Sequence, residues 1–212
     1  MSSPEPTKGL NPIDAQLLIG EPSAVKFRKA VTVNMAIILD ARFHSVLLRI
    51  DEQLAVEARA RGCPHCGGKL HSAPYPRRPR GWPTEADGTA TRLSFCCYVC
   101  RGRVTPPSVR YMGRRVYSAA AMLLWSAVGQ RTRPGITTVL CNALEVPQRT
   151  LERRKDWWRS TFVESPFWQY ARGMFMPLLD DSCLPGAMLE RCRGRSHEAR
   201  FVQTLCYLAT GP

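Results

Sequence analysis

Two cysteine doublets, Cys63-Pro-His-Cys66 and Cys97-Tyr-Val-Cys100, stand with thirty residues between them. Two Cys-x2-Cys pairs at this separation are the usual sequence form of a tetrahedral metal site. Zn²⁺ has no geometric preference of its own, so four thiolates at ~2.3 Å satisfy it, each pair gripping it from one tight turn. Gly67 and Gly68 come directly after the first pair, where a knuckle needs residues that accept positive φ. The four expected ligands are therefore Cys63, Cys66, Cys97 and Cys100, around a structural Zn²⁺; the alternative is a pair of disulfides or four packed thiols. Adjacent strand residues point to opposite faces, so Cys96 and Cys97 compete for one place, and the spacing favours Cys97. His65 and His71 stand near the first doublet as alternative ligands, a role histidines beside a ribbon seldom take.

Nine cysteines without an apolar leader in the polar, proline-containing stretch Met1–Glu21 fit a reducing, cytoplasmic setting better than a secreted disulfide scaffold. No apolar run, Met35–Leu39 included, approaches the ~18 residues that a membrane span requires.

The net charge of +13 is unevenly spread. Residues 1–60 carry seven basic and seven acidic groups, residues 61–115 carry eleven and two, and residues 116–165 carry seven and four. The excess thus falls on the cysteine module and the stretch C-terminal to it, the footprint expected for a polyanionic partner. Arginines outnumber lysines twenty-five to five, and guanidinium suits bidentate contact with phosphate and guanine.

Apolar residues at three- and four-residue steps (Leu39, Phe43, Val46, Leu47, Ile50, Leu54) predict an amphipathic helix over Met35–Arg61, stopped by Gly62. Between the doublets, the prolines of Pro74-Tyr-Pro-Arg77-Arg78-Pro-Arg80-Gly81 hold three arginines on a stiff, irregular arm. Alternation over Thr91–Tyr98 predicts a strand, Arg101–Val104 its hairpin partner, and Thr105–Ser108 a linker. Helices are expected over Val116–Gln130, Ile136–Leu144 and Pro147–Phe162, with two short ones beyond Ser165; no repeat is visible at any period.

The last pair has the layout of a helix-turn-helix. Cys141 takes the small position of the first helix, Leu144, Val146 and Leu151 face inward, and Gln148, Arg149, Glu152 and Arg153 face outward. Glu145 occupies the turn position that glycine usually fills. Trp157 and Trp158 read as packing residues. The candidate DNA contacts are Arg77, Arg78, Arg80, Arg114, Arg115, Gln148, Arg149 and Arg153. Asp180-Asp181 with Glu190 form the only late acidic cluster and read as helix-capping groups. Metal-dependent phosphoryl transfer needs converging carboxylates, and no such set, phosphate loop or Gly-x-Ser-x-Gly is present, so no catalysis is expected.

Together, the Cys63–His71 segment, the arginine arm, the Leu93–Cys100 strand, Thr105–Tyr117 and the helices after it resemble a family of uncharacterised small bacterial proteins from mobile-element contexts. The module order, zinc ribbon then helix-turn-helix, is similar to the N-terminal DNA-binding region of insertion-sequence transposases. That family's second knuckle has a longer spacer than Cys97-x2-Cys100, which keeps Cys96 in contention as a ligand. The resemblance implies duplex DNA as partner, with a transposase or other mobile-element protein as a second.

The expected fold is mainly α with a small β zinc ribbon. Its parts are a weakly ordered lead-in (1–32), an amphipathic helix (33–62), a zinc ribbon with the Arg/Pro-rich arm (63–108), a helix-turn-helix domain (109–165) and a C-terminal packing segment (166–212). The expected function is that of a non-catalytic, transposition-associated DNA-binding factor. The rival is a protein–protein adaptor docking a transposase or polymerase through its ribbon.

Overall fold

The computed structural model describes residues 36–77, 79, 91–112, 117–129, 138, 141–142 and 146–211. All of them lie within one compact unit, Asn34–Pro212. Helix α1, Ala41–Arg61, starts where the Asp40 carboxylate accepts the Arg42 N–H at 2.8 Å, and it stops at Gly62, whose φ of 78° and ψ of −171° fall in a region only glycine enters freely. Its buried seam is Phe43, His44, Leu47, Asp51, Ala55 and Ala58. This corrects the expected stripe: Leu39 and Val46 are exposed, and a carboxylate sits mid-seam.

The chain then builds an antiparallel three-stranded sheet from β1 (Leu70–Ser72), β4 (Phe95–Cys97) and β5 (Arg103–Val104), in the order β1-β4-β5. Leu70 lies opposite Cys97 and His71 opposite Cys96, while Phe95 lies opposite Val104. The expected strand over Thr91–Tyr98 is split. Its first part, β3 (Thr91–Arg92), pairs with β2 (Tyr75–Pro76), and the Ser94 hydroxyl donates to Ala73 O at 2.5 Å across the break. Pro76 lacks an N–H, and it stands at the end of a two-stranded ladder where none is needed. The expectation that the arm has no regular structure thus fails at Tyr75 and Pro76.

A third hairpin, β6 (Tyr111–Met112) with β7 (Tyr117–Ser118), leads into α2, Ala119–Gly129. Every residue of α2 from Ala119 to Ser126 is buried, as expected for a helix apolar on all sides. Helix α3 (Gln148–Trp157) continues into a π-helical turn, Trp158–Phe162, and is succeeded by α4 (Pro166–Ala171), α5 (Gly186–Arg191) and α6 (His197–Thr210). Helix α2 packs against α3, α5 and α6. The C-terminal segment therefore shares one core with the helices before it.

Helix α6 is longer than either short helix expected here. Ser196 caps it by accepting the Ala199 N–H at 3.1 Å, and its Phe201 packs edge-on against Phe43 of α1 with ring centroids 5.9 Å apart. Trp158 and Trp168 are fully buried and flank Phe162 at 4.4 and 5.3 Å, which bears out the packing role expected of Trp158. Asp180 caps the short 3-10 turn Asp181–Cys183, and Asp181 accepts from the Trp168 indole at 2.8 Å. Among the described residues no helix is long and apolar enough to cross a membrane.

Candidate metal centre

The Sγ atoms of Cys63, Cys66, Cys97 and Cys100 all lie within 4.8 Å of one another. Cys63 and Cys100 are 3.7 Å apart and Cys66 and Cys97 are 3.4 Å apart. A tetrahedron of sulfurs at ~2.3 Å from a central ion has edges of ~3.8 Å, so the four side chains fit around a single tetrahedral cation. All nine cysteines are free thiols, and no disulfide competes for these four.

The two doublets are built by the same local device. Gly67 N–H donates to Cys63 O at 2.8 Å, and Arg101 N–H donates to Cys97 O at 3.1 Å. Cys63 N–H then donates to Gly68 O at 3.0 Å, and Cys97 N–H to Gly102 O at 2.9 Å. The residue after each second cysteine has positive φ, 69° at Gly67 and 58° at Arg101. The expectation of no repeat is thereby corrected: a six-residue knuckle, Cys-x2-Cys-x-Gly, occurs twice. A Cβ on Gly68 would stand 2.8 Å from Val99 Cγ2 and 3.0 Å from Cys97 Sγ, so the knuckles close on each other only with glycine there.

The sulfurs are not electrostatically equal. The backbone N–H of Cys100 draws the Cys97 thiol down to about 6; burial opposes the shift, and the Cys66 thiol and Val99 N–H reinforce it. The Gly102 N–H favours the Cys100 thiolate, but the Cys97, Cys66 and Cys63 sulfurs crowd negative charge against it and push it up to about 12. Four sulfurs this close cannot all ionise without a cation among them, and cation binding must release their protons.

Cys97 is buried in the cluster, whereas Cys96 turns away, its thiol near Arg101 O at 3.6 Å. The contest between them is settled by strand alternation. His65 and His71 are exposed and outside the cluster; His71 lies against the Tyr98 ring. Cys63 and Cys97 also belong to a small apolar core with Ala55 and Ala58 of α1, Leu70 and Phe95, which seats the ribbon on the end of the helix.

The expected linker is a structural joint. Asp51, buried in α1, accepts from Ser108 Oγ at 2.6 Å, Val109 N at 2.8 Å and Arg110 Nε at 2.7 Å. Arg110 also donates to Thr91 O at 2.9 Å, so one carboxylate ties α1, the β2–β3 hairpin and the segment leading to α2. A single Asp in an amphipathic helix reads from sequence as a solvated position. The only signal for this joint is that Asp51 lies four residues from both Leu47 and Ala55, on the apolar seam.

The candidate DNA contacts fall into two groups. Arg78, Arg80, Arg114 and Arg115 lie outside the described residues. Arg77 is exposed, and its carbonyl accepts from Tyr111 Oη at 3.0 Å, which anchors the base of the arm. On α3, Gln148, Arg149, Glu152 and Arg153 are exposed, while Val146 and Leu151 are buried. Gln148 donates to Glu152 Oε1 at 2.9 Å. Arg154 instead lies half-buried over the Trp157 ring at 5.3 Å, and burial lowers its pKa. Of the expected turn, Glu145-Val146, Glu145 lies outside the described residues, and Val146 N–H donates to Cys141 O at 3.0 Å. Comparison with protein families, with curated proteins and with solved structures finds no match.

Proposed function

We propose that this chain is a zinc-containing, non-catalytic DNA-binding protein, acting as an accessory or regulatory factor in transposition. The observation that carries the reading is the four-thiolate cluster joined through Asp51 and Arg110 to a helical body whose α3 exposes Gln148, Arg149 and Arg153. Four sulfurs in tetrahedral array favour zinc over the harder divalent cations. The metal's work is structural: it closes two knuckles that have too small an apolar core to hold themselves, and so fixes the arginine arm that begins at Arg77. Arginine and glutamine are the residue types that read guanine and adenine edges in a major groove. The exposed Gln148–Glu152 hydrogen bond gives way when the amide meets a base.

The Arg149→Ala, Arg153→Ala double variant, compared with the parent protein in selection from a randomised duplex library, is expected to lose sequence preference while keeping its fold. Preference unchanged in that variant removes α3 as the reading element.

An adaptor role is the second reading, and one observation favours it. Tyr98 and Val99, at the tip of the second knuckle, are each 65% exposed, an apolar pair of the kind that inserts into a protein partner.

A further inference from the structure

A cleft of about 460 Å³ opens between the β2–β3 hairpin, the 105–112 segment and α6. Tyr75 and Arg77 of the ribbon side, Arg92 and Tyr111 behind them, and Leu205 and Leu208 of α6 bound it. Its chemistry is sharply divided. One wall is cationic and aromatic: the Arg92 guanidinium lies 5.0 Å from the Tyr111 ring centre, and Arg77 and Tyr75 also line the cleft. The floor is aliphatic. No carboxylate is among the lining residues. The nearby Asp51 is already engaged by Ser108, Val109 and Arg110, while Arg92 donates to a neutral carbonyl, Pro106 O, at 2.8 Å. Burial pulls the Arg92 pKa down, the mark of a cation whose lost hydration is incompletely replaced.

We propose that this cleft binds one nucleotide, either free or as an unpaired residue of a strand, with the base over the aliphatic floor beside Tyr75 and Tyr111 and the phosphate between Arg77 and Arg92. The volume lies in the range of small-ligand sites, and an apolar bed with a few convergent polar groups is their usual make-up. A flat aromatic group uses the floor and the tyrosines, and an anion uses the guanidinium pair; a nucleoside phosphate carries both on one short scaffold. A cation is repelled, and an acidic peptide side chain leaves the floor without a partner. The site involves neither α3 nor the metal ligands and shares only Arg77 with the duplex-binding reading, so variants at Leu208 and Thr105 test it apart from that reading.

The test uses the metal-loaded full chain with three probes: dAMP, hexathymidylate and a blunt, fully paired duplex, each measured by competition against a fluorescent single strand. Leu208→Trp fills the floor, and Thr105→Glu places a negative charge at the exposed mouth. Saturable binding of dAMP or hexathymidylate is expected, weakened roughly tenfold or more by Leu208→Trp and about threefold to fivefold by Thr105→Glu. Binding of dAMP identifies a free nucleotide as sufficient; binding of hexathymidylate alone identifies an unpaired residue of a strand. If Leu208→Trp fails to fold by circular dichroism, Thr105→Glu alone decides. The proposal is overturned if neither dAMP nor hexathymidylate binds, or if their affinity survives in the folded variants.

Discussion

At Gly67 and Arg101 the two knuckles demand the same backbone conformation from very different residues. Positive φ costs a non-glycine residue about 1–2 kcal/mol, and Arg101 has only the Tyr98 ring at 5.9 Å as a visible stacking partner. Arg101→Gly is therefore expected to leave metal content unchanged and to alter stability by no more than about 1 kcal/mol in urea denaturation, the relief of strain offsetting the freer unfolded chain. A loss larger than this shows that the arginine side chain, and not the turn, matters at that position. The sulfurs give a sharper contrast one residue apart. Cys97→Ser is expected to abolish stoichiometric metal in the purified protein, and Cys96→Ser to keep it, as read by elemental analysis. All four cysteines of the cluster were legible because spacing and strand alternation together leave one solution. The repeat was harder to see, since the position after its second cysteine is glycine in one copy and arginine in the other; the backbone angles show that they do the same thing.

Among the elements, α1 carries the most consequential departure from its sequence pattern. Its periodicity predicted a helix correctly, but counting apolar residues alone placed Leu39 and Val46 on the inner face and overlooked Asp51. Removing a carboxylate that holds a fully buried guanidinium deprives that charge of its ion-pair partner. Asp51→Ala is expected to cost about 3–5 kcal/mol in denaturant unfolding, against well under 1 kcal/mol for exposed Glu52→Ala. A small effect at Asp51 contradicts its role as the joint between helix, ribbon and helical body. Helix α6 was expected only as one of two short helices, for the opposite reason. Its charged start, His197-Glu198-Ala-Arg200, masks the stripe Phe201, Leu205 and Leu208, although Ser196 is an ordinary N-cap signal. Its destination against Phe43 is a long-range contact that no local pattern encodes. Helix α2 was easier to read, because a run from Ala119 to Trp125 with no charge can only be buried.

For the whole molecule, the charge distribution and the architecture point the same way. The described basic residues of the stretch 61–115, among them Arg92, Arg103 and Arg110, lie on the elements that the cysteine cluster and the Asp51 joint hold together. Binding through that surface must release counterions from the nucleic acid, so affinity must depend steeply on salt. The decisive quantity is the dissociation constant of the metal-loaded protein for duplex DNA across a salt series. With Arg77, Arg78, Arg80, Arg149 and Arg153 on phosphates or base edges, the logarithm of the association constant is expected to fall against the logarithm of salt concentration with a slope of about −4 to −5. A flat dependence, or no binding at low salt, contradicts DNA binding through this surface and leaves the exposed knuckle tip at Tyr98 and Val99 as the surface to explain.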